Sequence, residues 1–165
     1  MIPRDTDFAL LASANGVRVL RDRDGRIESM TTGLSRCDRH TWLDDGRVAV
    51  LTRRQGKHAL WLQVNVMACA GLRVTTEARL DTPLPAADLV AFAGRLVVCG
   101  AAEGRSRLWS IDARDPDATW QPLPMPPELG DRKGIDALAQ DGQVLVAVDN
   151  IVFPKWMVRY IVDGD

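Results

Sequence analysis

The sequence predicts an all-β fold made of four repeating units, and three observations carry that prediction. Gly46, Gly94 and Gly142 stand 48 residues apart, each in a short turn (Asp44-Asp45-Gly46-Arg47, Phe92-Ala93-Gly94-Arg95, Gln140-Asp141-Gly142-Gln143). Each is followed by an apolar run, at residues 48–51, 96–99 and 144–147. Fifteen residues past each glycine come Trp61, Trp109 and Met157, the last beside Trp156. A period near 48 with several short strands per unit marks radial β repeats, in which a unit buries its apolar face only against its neighbours. The expected fold class is therefore β-propeller-like, a single domain over 1–165. Its units, of about 40 to 48 residues, lie roughly at 8–36, 40–80, 88–124 and 135–162, and the last is incomplete.

In the first unit Phe8-Ala9-Leu10-Leu11-Ala12 and Val17-Arg18-Val19-Leu20 flank Ser13-Ala14-Asn15-Gly16. Asn-Gly between strand-like runs is a strong hairpin signal, because both turn residues must accept positive φ. Asp22-Arg23-Asp24-Gly25 then leads into Arg26-Ile27-Glu28-Ser29-Met30. Alternation puts Val17, Val19 and Ile27 on one face and Arg18, Arg26 and Glu28 on the other. Asp22 to Gly25 resembles the start of a calcium loop. It lacks the third acidic position and the distal glutamate, so it reads as a hairpin turn.

The second unit has strand-like runs at 40–43, 48–52, 59–66 and 72–80. Pro83 and Pro85 keep the next connection extended and out of a central strand. Unit three then offers 89–92, 96–99, 107–111 and a short outer strand at 118–121. Residues 85–91 have helical composition, yet the 48-residue register aligns them with 40–43 and 136–139, so a strand is expected. Unit four supplies 135–139, 144–148 and 156–162 and then stops. A further outer strand could come from 1–7 or 31–37 and close a four-bladed ring. Otherwise the chain is an open half, and two copies form a seven- or eight-bladed ring or pair as a dimer through their free strand edges.

Residues 95–127 resemble a kelch repeat. The resemblance rests on the small-residue corner Cys99-Gly100-Ala101, on Gly104 in the next hairpin and on the third-strand core Leu108-Trp109-Ser110-Ile111. An Asp115-Pro116 turn and Trp120 before Pro122-Leu123-Pro124 complete it. The resemblance implies that this stretch is one four-stranded propeller blade.

Composition excludes several classes. The net charge of -1 gives no general attraction to nucleic acid or an anionic membrane. Arginine outnumbers lysine 18 to 3, but many arginines adjoin acids, as solvated turns do and as an arginine-lined recognition face would. The apolar run at 8–12 is too short for a signal peptide, and no window reaches a membrane span. Three unevenly spaced cysteines, Cys37, Cys69 and Cys99, offer neither a disulfide framework nor a zinc site, so a cytoplasmic setting is expected.

Six residues before the register glycines stand His40, Asp88 and Asp136. On equivalent first strands they would ring one mouth of a central channel, where an imidazole and carboxylates could bind a sugar or a cation or move protons. Alternatively each caps the turn into its strand. Cys37-Asp38-Arg39-His40 lacks the further ligands a metal needs and the orienting partner a nucleophile needs. The tryptophans at 61, 109 and 156 fit packing between units. Trp42 and the tip Phe153-Pro154-Lys155-Trp156 have the residue types of an interface anchor. No phosphate-binding glycine loop, nucleophile elbow or metalloprotease helix motif is present. The function expected is binding of another protein, non-enzymatic and without cofactor, through loops or an open strand edge. The alternatives are a carbohydrate-binding or carbohydrate-active propeller and a small inhibitor or immunity-type protein.

Overall fold

The computed structural model describes residues 8–55, 60–70, 73–102, 105–124, 135–141, 144–149 and 157–161. Among them every regular element is a strand, so the all-β expectation holds. The chain forms two compact units, one of residues 1–53 and 63–80, the other of 54–62 and 81–165.

The first unit opens on an antiparallel meander of β1 (Phe8–Ser13), β2 (Gly16–Arg23) and β3 (Arg26–Thr31). At the first hairpin Ser13 pairs with Gly16, and positive φ falls on Gly16 (106°) and not on Asn15. Glycine is needed there, since an added Cβ would sit 2.9 Å from the Leu34 carbonyl, which accepts the Val17 N–H at 2.9 Å. The second hairpin has positive φ at both Asp24 (54°) and Gly25 (77°), the type I′ geometry whose twist suits two-residue loops. Asp22 Oδ1 accepts the Gly25 N–H at 2.9 Å.

That two-residue turn overturns the expected face of Ile27. Arg23 pairs with Arg26, so Arg21 lies opposite Glu28 and Val19 opposite Met30, while Ile27 falls opposite Asp22. Opposed residues share a face. Val17, Val19 and Met30 are buried together with Arg21 and Glu28 on their side, and Ile27 is left 65% exposed on the other.

A second sheet runs β4 (Arg39–Trp42), β5 (Val48–Gln55), β6 (Leu60–Ala70), β7 (Arg73–Asp81) in that order. Its core of Val48, Val50 and Met67 receives Leu10 from the first sheet, with Leu34, Trp42 and Val74. Of the two candidate sources of a further outer strand, residues 1–7 lie outside the described residues, and 31–37 supply none, since Thr31 ends β3 and no strand follows before Arg39. Thr32 donates its N–H and its hydroxyl to the Val17 carbonyl (3.1 and 2.7 Å), and Asp38 pins the following segment by accepting from Arg36 Nε and the Arg53 N–H (both 3.0 Å).

In the second unit β8 (Ala86–Phe92), β9 (Arg95–Ala102), β10 (Arg105–Ile111) and β11 (Gln121–Leu123) form a four-stranded meander. The helical composition of 85–91 gives way to strand, as the register required. β11 starts at Gln121, later than expected, and admits Pro122 opposite Trp109 because an edge strand can spare one N–H. A three-stranded meander of β12 (Ile135–Asp141), β13 (Val144–Asp149) and β14 (Met157–Ile161) follows, with β12 lying against β8 and β9.

The register glycines share a conformation but not a turn. Gly46 (φ 84°) sits in a five-residue loop between the paired Trp42 and Val48, whereas Ala93 and Gly94 (φ 48° and 73°) form a two-residue loop between Phe92 and Arg95. Gly142 lies outside the described residues. The apolar runs behind the first two turns are buried on both faces, at residues 48–51 in β5 and 96–99 in β9. Burial of alternate and intervening residues alike is unusual in an antiparallel strand, which commonly leaves one face to water. Among the described residues no helix is long and apolar enough to cross a membrane.

Candidate functional site

The β3 edge of the first sheet carries unmatched backbone and side-chain groups. Among the described residues β3 pairs only with β2, as does β1 at the sheet's other edge. The Thr32 N–H bond to Val17 continues the β2–β3 register, so residues 26, 28, 30 and 32 turn their backbone groups toward β2. Ladder bonds alternate along an antiparallel pair, and those of Ile27, Ser29 and Thr31 therefore point off the sheet. Along this edge Arg26, Ile27, Ser29 and Thr31 are exposed and Glu28 is half-buried.

The charges around the edge are incompletely matched. Arg26 stands directly opposite Arg23, a like-charge pair, and makes no ion pair among the described residues. Arg21 faces Glu28, but its guanidinium lies 5.3 Å from the centroid of the Phe8 ring. Arg21 Nε and Glu28 Oε2 are both buried without a hydrogen-bond partner. Beyond Thr31 the edge runs into an open depression of about 480 Å3 between the first hairpin and the 31–35 strap, lined by Asn15, Arg18, Leu34 and Ser35 among others.

Of the residues singled out for a channel mouth, His40 falls in the first unit and Asp88 and Asp136 in the second. His40 is exposed on β4 of the first unit, opposite Val50. Asp88 is buried on β8 of the second unit, and its Oδ1 accepts the N–H of Leu89 at 2.9 Å, beside the β-bulge where pairing shifts between Ala86 and Asp88. Asp136 falls at the corresponding shift in β12, between Ile135 and Ala137. Trp42 is half-buried, its ring 6.0 Å from that of Phe8 and packed on the Val48, Val50 and Met67 core. Phe153, Lys155 and Trp156 lie outside the described residues. No protein-family description, curated protein or solved structure matches this chain. The site must therefore be read from its chemistry.

Among the described residues no three His, Cys, Asp or Glu side chains gather as metal ligands. The thiols are held back from nucleophilic work. Burial raises the pKa of Cys37, Asp38 raises it further and Arg39 partly opposes them, while burial alone raises that of Cys69. Both are half-buried and Cys37 donates weakly to the Arg39 carbonyl (3.5 Å). At pH 7.5 iodoacetamide should alkylate Cys37 and Cys69 more slowly than an unfolded cysteine, whose pKa is about 8.5. Above that pH the unfolded chain releases these protons first, so stability should fall as pH rises through the folded-state values. Mass spectrometry of timed alkylation checks the first result and urea melts from pH 7 to 10 the second.

Sequence reasoning missed β3 as an edge because it assigned Ile27 to the buried face. A signal was present in the two-residue turn Asp24-Gly25, which fixes the pairing and hence which residues share a face.

Proposed function

We propose that this chain is a non-enzymatic protein-binding module of propeller-like architecture, and that it binds a partner by accepting an extended strand at β3. The observation that carries this reading is the open edge, with its outward backbone groups at Ile27, Ser29 and Thr31 and with the Ile27 side chain itself 65% exposed. Strand addition draws affinity from such main-chain groups and specificity from the alternate side chains. The depression beyond Thr31 would take the side chains of a segment that overruns the edge.

The propeller part of the reading is supported by four meander sheets of three, four, four and three strands and by the two-sided burial of β5 and β9. Second strands flanked by a neighbouring sheet on each side have that burial in a radial array. The kelch-like pattern at 95–127 agrees with it. In blades of four strands the first sheet is one strand short, and a partner's strand would complete it.

Ser29→Pro tests the reading. It removes an N–H that points away from β2, so the fold should persist by circular dichroism while the edge loses a donor. A partner retained from host extract by the unmodified chain should be lost with Ser29→Pro and kept when His40, Asp88 and Asp136 are changed together. Equal retention by Ser29→Pro would overturn strand addition, and loss only with the triple change would favour the channel mouth.

A further inference from the structure

We infer that the strand accepted at β3 is the β3 of a second copy of this chain, paired antiparallel about a two-fold axis through Ile27. The inference rests on the strand-addition reading and adds the identity of the occupant. Three features of the edge are complementary to themselves in this register. Ile27 would lie opposite its symmetry mate, and its outward N–H and C=O would exchange two backbone bonds across the axis. Arg26 would lie opposite the partner's Glu28, and Glu28 opposite the partner's Arg26, because residues equidistant from the axis are paired and opposed residues share a face.

The charges make this register stand out. Within one copy Arg26 is set against Arg23, and Glu28 Oε2 has no hydrogen-bond partner. Pairing at Ile27 supplies an opposite charge to each of these groups, twice over. An axis through Glu28 would instead set two carboxylates against each other. An axis through Ser29 would leave Arg26 and Glu28 facing Thr32 and Met30 of the partner, with no charge matched. Burial of Ile27 against its mate also covers the largest exposed aliphatic surface of the sheet. The shared edge is short, so the association is weak and concentration-dependent.

Sedimentation equilibrium of the full chain from about 5 to about 500 µM tests this, a range that spans weak edge contacts. The weight-average mass should rise from 18.2 kDa toward twice that value. Arg26→Glu and Glu28→Arg should each weaken association roughly tenfold or more, and the double change, which swaps the charges, should restore it. Arg26→Glu turns the like-charge pair with Arg23 into an opposite-charge one, whereas Glu28→Arg sets an arginine opposite Arg21, so circular dichroism of all three variants separates loss of association from loss of fold. A chain that stays monomeric throughout, a dimer indifferent to Arg26→Glu, or a double change that fails to restore association would overturn self-pairing. If in those cases a different protein is still captured in a Ser29→Pro-sensitive way, strand addition stands with another occupant. If that sensitivity is absent as well, both readings fall.

Discussion

Gly100→Ala should lower the unfolding free energy by about 3 kcal/mol or more, the upper part of the range for forcing a methyl into a filled interior. Gly100 is buried on β9, where an added Cβ would collide with the Pro85 carbonyl oxygen and with Leu84 Cδ1. A flexible side chain could yield, but the Pro85 carbonyl is backbone and belongs to the segment that enters β8. The close approach arises because β8 shifts register there, pairing Ala86 with Gly100 and then Asp88 with Cys99. Trimming Leu84 to alanine in the same background should therefore not restore stability. For a chain of this size the melting temperature should fall by roughly 6 to 12 °C, readable by calorimetry. A change under about 2 °C would mean that the bulge at Ala87 is not held as described.

Gly100 also illustrates what was legible in the sequence. The sequence showed small residues at 99–101 but suggested a corner after the second strand, whereas they lie within β9, where glycine lets the strand pass under the Pro85 backbone. The hairpins were readable, since Gly25, Gly46 and Gly94 all adopt the positive φ that their turns demand. Turn length was not. Gly46 and Gly94 occupy matching places in a 48-residue register, yet one serves a five-residue loop and the other a two-residue loop. Spacing counts residues, whereas strand faces follow hydrogen-bond pairing, and a single-residue change in where a hairpin closes exchanges the faces. Ile27 was misplaced for that reason, and the open edge of β3 was hidden with it. Trp42 shows the other limit. Its residue type suggested an interface anchor, but packing against Phe8, 34 residues earlier in the chain, is a long-range contact that no local pattern encodes.

Leu51→Ala should cost about 2 to 5 kcal/mol, the range for removing a buried leucine without collapse of the site around it. Leu51 is 1% exposed on β5, and it points to the face opposite Val48 and Val50, which pack with Met67. In an ordinary two-layer sheet one of these faces would meet water, and truncation at Leu51 would resemble truncation at Leu11, which is 46% exposed on the first sheet. Leu11→Ala should change stability by no more than about 0.5 kcal/mol, as surface substitutions do. The two variants thus measure whether β5 is covered on both sides. Guanidinium denaturation should show a lower midpoint with unchanged slope for Leu51→Ala, and almost no change for Leu11→Ala. A loss at Leu51 below about 1 kcal/mol would remove the two-sided burial that a radial arrangement of sheets requires. The strand-addition reading would then stand on the β3 edge alone.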